Sequence, residues 1–166
     1  REIDVDAFSE ACSVLQGQHD FTNLCRLDEG KNPIRTIDEC IPWKTEEGRI
    51  IGISVKSRAF LWNQVRRMAS AISGVASGRN SVEDIQSALD NPDVPVDLGR
   101  SPSEGLMLWS IENPHTSNLI DSTLPETNWF TAPPDDVRQH NRWLSLARLE
   151  MSTLLEREWM RLLKQA

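Results

Sequence analysis

The chain has 166 residues, and its 18 lysines and arginines against 25 aspartates and glutamates give a formal net charge of −7. Hydrophobic residues make up 39% of the sequence and charged residues 26%, which is ordinary for one globular domain and excludes wholesale disorder. No apolar run is long enough to cross a bilayer, and the first residues lack the features of a secretory signal, so we expect a cytoplasmic protein.

The first part of the sequence predicts a helix followed by a pair of strands. Apolar residues recur with helical spacing over residues 6–15, and Gly17 is expected to end that helix. Residues 18–24 predict a loop or a single turn. Residues 34–42 are expected to be extended, and residues 49–57 alternate apolar and polar positions as a strand does. The polar residues 44–48 between these two segments predict the loop of an antiparallel hairpin.

The rest of the sequence is mainly helical in pattern. Residues 60–77 carry a continuous apolar stripe at helical spacing, which predicts the clearest helix of the chain. Ser81 and Asp84 form a capping box that starts a second helix, ending near residue 90. Residues 105–111 predict a buried strand, residues 115–134 a loop and residues 135–163 a long helix. The inward-facing side chains of that last helix are expected to be Leu144, Ala147, Met151, Leu154, Leu155, Trp159 and Leu162.

These elements predict an α+β fold with a largely antiparallel sheet, helices packed on one face of the sheet and a long C-terminal helix. No β-α-β alternation, internal repeat or low-complexity tract is present. We therefore expect a single domain. Its body comprises residues 1–114, and a loop with a helical extension comprises residues 115–166.

Positive charge is concentrated in one segment. Between Glu47 and Glu83 there is no carboxylate, although six arginines and lysines lie there: Arg49, Lys56, Arg58, Arg66, Arg67 and Arg79. Such a segment in an acidic protein can attract phosphate groups locally. The alternative is a solvated basic surface without a ligand.

Other chemical signatures are sparse. Three cysteines without a C-x-x-C pair indicate reduced thiols in the core, and together with His19 they match no common zinc spacing. Phosphate-binding glycine loops, the G-x-S-x-G motif and the H-E-x-x-H motif are absent. His19 and Asp20 are a candidate acid–base pair, but adjacent side chains of an extended segment point to opposite faces, which favours a turn or capping role for Asp20.

Arg66 lies beside the apolar stripe of residues 60–77 and shares its helical face with small residues. A guanidinium in that position can hold a carboxylate or phosphate through a two-pronged contact. The alternative is that both Arg66 and Arg67 are simply exposed.

Four short motifs then resemble, in order and spacing, the C-terminal half of TruA-type tRNA pseudouridine synthases. They are Gly17-x-His19-Asp20-Phe21, Ala59-Phe60-Leu61-x-x-x-Val65-Arg66-Arg67-Met68, Gly78-Arg79-Asn80 and Pro102-Ser103-Glu104-Gly105-Leu106-x-Leu108. The resemblance spans residues 15–112. The tail that follows is similar to archaeal or eukaryotic members of the family.

The resemblance implies isomerisation of uridine to pseudouridine in tRNA without a cofactor, through a nucleophilic aspartate. It assigns Arg66 to pairing with that aspartate and Leu106 to lining the uracil pocket. The Arg-Thr-Asp type motif that carries the aspartate is missing here, as is any tyrosine to stack on the target base. We therefore expect this chain to be the C-terminal half of a longer enzyme, partnered by its N-terminal half, by tRNA and, since family members are often dimers, by a second copy.

Two further hypotheses remain open at this stage. The chain is alternatively a non-catalytic RNA-binding module of the same fold, or a helical interaction domain built on the tail. The many charged residues of the final helix indicate a solvated face and argue against the last of these. For RNA binding we expect phosphate contacts from Arg49, Lys56, Arg58 and Arg79.

Overall fold

The computed structural model describes residues 3–45, 47–111, 134 and 136–163. The chain divides into two compact units, Arg1–Ser101 and Pro102–Ala166, and each is described by itself. The boundary expected between residues 114 and 115, and the loop expected at residues 115–134 apart from residue 134, lie outside the described residues.

The first unit opens with helix α1, Val5–Val14, close to the predicted residues 6–15. Asp4 caps it, since its side chain accepts hydrogen bonds from the backbone N–H groups of Asp6 and Ala7. Its apolar face is buried against the rest of the unit. The chain leaves the helix through Gly17, whose φ of +97° lies in the left-handed region that glycine tolerates.

A short strand follows where the sequence predicted a loop or a turn. Strand β1, Gly17–Asp20, pairs antiparallel with the start of strand β2, Ile34–Lys44. The loop prediction for these residues was wrong because four residues are too few to show an alternating pattern, and pairing with a distant segment decides their structure. The single turn was correct for the next residues, since Thr22–Leu24 form one turn of 3₁₀-helix.

The predicted hairpin is confirmed by β2 and strand β3, Ile50–Ser57, which pair antiparallel. The sheet has three strands among the described residues, in the order β1-β2-β3. Helix α1 packs against β2, and the next helix along the chain packs against both α1 and β3. The α+β prediction is confirmed.

Helix α2, Gln64–Ala76, is the predicted apolar-striped helix, but it begins four residues later than expected. Residues 60–63 are not helical: the backbone N–H of Arg26 donates to the carbonyl of Trp62, and Asn63 has a φ of +61°. Met68 and Ile72 of the stripe are fully buried. Helix α3, Val82–Asp90, starts with the predicted capping box, because the Ser81 and Asp84 side chains each accept from the other's backbone N–H.

The second unit differs most from the prediction. No strand forms over residues 105–111, and Leu106, Leu108 and Ile111 are exposed. An apolar run becomes a strand only when a neighbouring strand satisfies its backbone groups, and no such neighbour lies within the described residues.

The predicted long helix is present as α4, Val137–Leu163. Ala147, Met151 and Leu154 are buried as expected, whereas Leu155 and Trp159 are exposed, so the predicted inward face is too wide. The Leu162 side chain lies outside the described residues. None of the described helices has the length and apolar character needed to cross a membrane.

Candidate functional site

Arg66 is positioned by three hydrogen bonds at the start of α2. Its Nε–H donates to the carbonyl of Ser101 at 2.8 Å, and its Nη1 donates to Oδ1 of Asn63 at 3.2 Å. The backbone carbonyl of Arg66 in turn accepts from the N–H of Ser101. The side chain is half-buried. Within the described part of the chain Nη2 has no hydrogen-bond partner.

The loop that supplies Ser101 runs alongside α2. Ser70 donates its hydroxyl hydrogen to the carbonyl of Leu98, one helical turn beyond Arg66. Gly99 has a φ of +86°, and a Cβ at this position would lie 2.6 Å from Oγ of Ser70. Close approach of the loop to the helix therefore requires glycine here. Ser70 contributes a hydrogen bond that fastens the loop beside Arg66.

The same loop is held at its other end by a buried amide. Asn23 is 8% exposed, and its Nδ2 lies 3.1–3.2 Å from the carbonyls of Ala88, Asn91 and Val94. Its Oδ1 accepts from the backbone N–H of Val96. One side chain in the 3₁₀ turn thus hydrogen-bonds to backbone groups at the end of α3 and at the beginning of the loop that reaches Arg66.

We expect Asn23→Ala to lower the free energy of unfolding by about 2 kcal/mol or more, because several buried backbone groups would lose their partner at once. Chemical denaturation of the variant and the wild type measures this change. Asn91→Ala is the matched control: its side chain is exposed and, among the residues that the structure describes, bonds only to Ser87, so we expect a loss of less than about 1 kcal/mol. Equal losses for the two variants would contradict the role given to Asn23.

Arg67 has a different environment from its neighbour. Its Nη1 forms an ion pair with Asp97 at 3.0 Å, and the Asp97 side chain is 78% exposed. The backbone N–H of Gly99 and the Arg67 guanidinium lower the pKa of Asp97 below its usual value. The alternative, that both arginines are simply exposed, does not hold, since both are partly buried and both contact the loop of residues 97–101.

The Gly78-Arg79-Asn80 motif closes the far end of α2. The backbone N–H groups of Arg79 and Asn80 both donate to the carbonyl of Gly74. The Asn80 amide packs directly on Gly74, where an added Cβ would lie 2.3 Å from Nδ2. This motif therefore has a structural role as a helix end.

His19 and Asp20 form no catalytic pair with each other. Nε2 of His19 lies 2.7 Å from the carbonyl of Gln16, and its ring contacts Phe21 edge to face. The carboxylate of Asp20 accepts from the N–H of Thr22. The turn role predicted for Asp20 is confirmed.

The three cysteines are buried free thiols, as expected for core residues. Burial raises the pKa of Cys25, and a hydrogen bond with Cys12 together with burial raises that of Cys40. Among the residues that the structure describes, no three His, Cys, Asp or Glu side chains come together as a metal site would need.

A family model for tRNA pseudouridine synthase matches residues 11–114, which is more than half of the chain and includes Arg66 with its supporting loop. The chain belongs to the tRNA pseudouridine synthase family. Residues 18–20 and 105–111, where the secondary-structure predictions were wrong, lie inside the matched region.

Individual relatives agree with this family. A protein of Thermococcus kodakarensis named tRNA pseudouridine synthase A is 32% identical over 154 residues, covering 93% of this chain and 55% of the relative. Relatives of the same name from Methanocorpusculum labreanum and Brucella ovis are 31% and 34% identical, covering 65% and 68% of this chain and 37% and 44% of theirs. The chain thus spans about half the length, or less, of the curated relatives it matches.

The other candidate site residues predicted from the sequence are widely distributed. Arg49 and Arg58 flank β3 at opposite ends, about 30 Å apart along an extended strand, and Lys56 lies near the second of these ends. Arg79 follows the C-terminal end of α2, whose first turn contains Arg66. Leu106 is 50% exposed and lies in the second unit. Its place beside Arg66 in one cleft stays a prediction.

Sequence reasoning missed one feature of this synthase-family surface. The Arg26 guanidinium lies over the Trp62 indole at 3.9 Å from the ring centroid, a cation–π contact. Trp62 remains 53% exposed and Phe60 40% exposed, next to the start of α2. The signal available in the sequence was a tryptophan between Leu61 and Asn63 in a segment without carboxylates, but its cationic partner lies 36 positions earlier.

Proposed function

We propose that this chain is the C-terminal part of a tRNA pseudouridine synthase that isomerises uridine to pseudouridine in tRNA, with the nucleophilic aspartate supplied by the N-terminal half. The observation that carries the proposal is a family match containing an arginine that is held in place yet lacks a carboxylate partner among the described residues. The absence of an Arg-Thr-Asp motif from the sequence supports the assignment of the aspartate to another segment.

The geometry of Arg66 suits it to hold a carboxylate. Nε and Nη1 are occupied by Ser101 and Asn63, which fix the plane of the guanidinium. The Nη2 edge then presents its N–H groups in a set direction. A carboxylate placed against this edge would be favoured in its ionised form, because a nearby positive charge lowers the pKa of an acid.

The proposed reaction needs an ionised aspartate and a dry pocket. The carboxylate attacks or deprotonates the ribose, the bond from C1′ to N1 of uracil breaks, and the freed uracil rotates. A bond from C1′ to C5 then forms as the carboxylate leaves C1′, or returns the proton it took from the ribose; C5 loses its proton and N1 gains one, so the product is an isomer and no cofactor is consumed. Leu106 would contribute an apolar wall that excludes water from these steps.

The proposal also names partners and a location. The substrate is tRNA, and the N-terminal half of the enzyme completes the cleft; a second copy of the chain is a further proposed partner. The three buried reduced thiols support a cytoplasmic location.

Replacing Arg49, Lys56, Arg58 and Arg79 with glutamine should weaken tRNA binding and reduce its salt dependence. Each lost phosphate contact is expected to lower the slope of log K against log salt concentration by about 0.7–0.9. Binding titrations at several salt concentrations measure the slope. Replacing four arginines of α4, namely Arg138, Arg142, Arg148 and Arg157, is the matched control for charge. An equal change in slope for both sets would contradict the assignment.

Pseudouridine formation by the full-length gene product tests the function itself. With tRNA carrying tritium at C5 of uridine, each turnover releases one tritium to water. We expect release that depends on the enzyme, together with pseudouridine in the recovered tRNA. Tight tRNA binding without tritium release would overturn the enzyme assignment in favour of the non-catalytic RNA-binding module.

A further inference from the structure

Trp62 and Arg26 form an exposed aromatic platform next to the candidate catalytic arginine. We infer that an unpaired base of the tRNA stacks on the Trp62 indole, an assignment that rests on the proposed function. Neither Arg26 nor Trp62 bonds to the Arg66 side chain, and neither is one of the four residues expected to bind phosphates.

The first support is rigidity. The backbone N–H of Arg26 donates to the carbonyl of Trp62 at 2.8 Å, which joins the two residues through an isolated β-bridge. The Arg26 guanidinium then lies 3.9 Å from the indole centroid. The indole is therefore held in place from one side before any ligand arrives, which lowers the entropic cost of stacking.

The second support is exposure. Trp62 keeps 53% of its surface accessible, and Phe60, two residues earlier, keeps 40%. A large indole backed by a cation and left open elsewhere suits a nucleobase, because base–aromatic stacking and arginine contacts combine at single-stranded nucleic-acid sites.

The third support is charge and position. Trp62 lies in the segment between Glu47 and Glu83 that contains no carboxylate, and the exposed Arg58 is four residues away. Asn63, the next residue, accepts the hydrogen bond from Nη1 of Arg66. A base on Trp62 would therefore stack four residues, along the chain, from Arg66, the residue proposed to pair with the nucleophilic aspartate. Sequence-specific RNA recognition generally uses such unpaired, stacked bases.

The test compares two substitutions at one position. Trp62→Phe keeps an aromatic ring, whereas Trp62→Met keeps apolar volume without a ring. Binding of an unmodified tRNA transcript to the 166-residue chain is measured at fixed salt. We expect Trp62→Met to weaken binding between about fivefold and a hundredfold, and Trp62→Phe to stay within about threefold of wild type. Trp159→Met is the matched control, since Trp159 is also exposed, at 60%, and is expected to leave binding unchanged.

Salt dependence separates stacking from charge. Trp62→Met should shift the whole plot of log K against log salt without changing its slope, because no phosphate contact is lost. Irradiation of tRNA containing 5-bromouridine should also cross-link to the peptide that contains Trp62 in the wild type, and this product should disappear in Trp62→Met.

Three outcomes would count against the inference or its basis. Wild-type affinity in Trp62→Met overturns the stacking site. A lower unfolding temperature in Trp62→Met with unchanged tRNA binding also overturns it, and shows instead that Trp62 stabilises the fold of this chain. Failure of the wild-type chain and the full-length enzyme to bind tRNA overturns the proposed function. This result can be distinguished from failure of the stacking site because it does not depend on residue 62.

Discussion

Arg66→Lys in the full-length enzyme is expected to slow pseudouridine formation by at least tenfold. Lysine keeps the positive charge but lacks the planar guanidinium. It therefore cannot donate hydrogen bonds to the Ser101 carbonyl and to Oδ1 of Asn63 while it also presents separate N–H groups to a carboxylate. Arg66→Ala should cost more, about 3 kcal/mol or over a hundredfold in rate, because a partly buried charge would lose its partner. Single-turnover tritium release measures both rates.

Arg67→Lys is the matched control. Arg67 is adjacent in sequence and also partly buried, but its partner Asp97 is exposed, and exposed ion pairs contribute little. We expect a change in rate of less than about threefold. Two results would contradict the proposed pairing of Arg66 with the nucleophile. One is an equal loss of rate in Arg66→Lys and Arg67→Lys, and the other is full activity in Arg66→Lys.

The 166-residue chain by itself is expected to form no pseudouridine in any tRNA. Its sequence lacks the aspartate motif, and Asp97, the one carboxylate of the loop of residues 97–101 that contacts Arg66, is already paired with Arg67. The same tritium assay with the chain alone gives the result, and the full-length enzyme at equal concentration is the positive control. Turnover by the isolated chain would contradict the assignment of the nucleophile to another segment.

Local sequence signals predicted the helices of the first unit well. The stripe of Met68 and Ile72 and the box of Ser81 and Asp84 act within one or two helical turns, so they can be recognised without knowledge of the fold. Residues 105–111 show the opposite case. Their apolar pattern indicated a strand, but pairing depends on a neighbouring segment that the pattern does not contain.

The candidate site was predictable only in part. Arg66 could be identified by its place in a motif and on a helix face, but its fixed orientation depends on Ser101, which lies 35 residues later. The Arg26–Trp62 contact likewise joins two segments that lie on either side of the β2–β3 hairpin in the sequence. Neither pairing has a local pattern, because each is produced by the packing of distant segments.

The attachment of residues 91–101 at two points, to Asn23 and to α2, makes the alignment of Arg66 sensitive to temperature. Segments held by few hydrogen bonds open locally at lower free energy than the core unfolds. An enzyme carrying Asn23→Ala would therefore keep its activity in the cold and lose it on warming, before the fold melts. In a cell, a change at this buried residue, whose side chain bonds only to backbone groups among the described residues, would be expected to behave as a temperature-sensitive allele of the proposed tRNA modification.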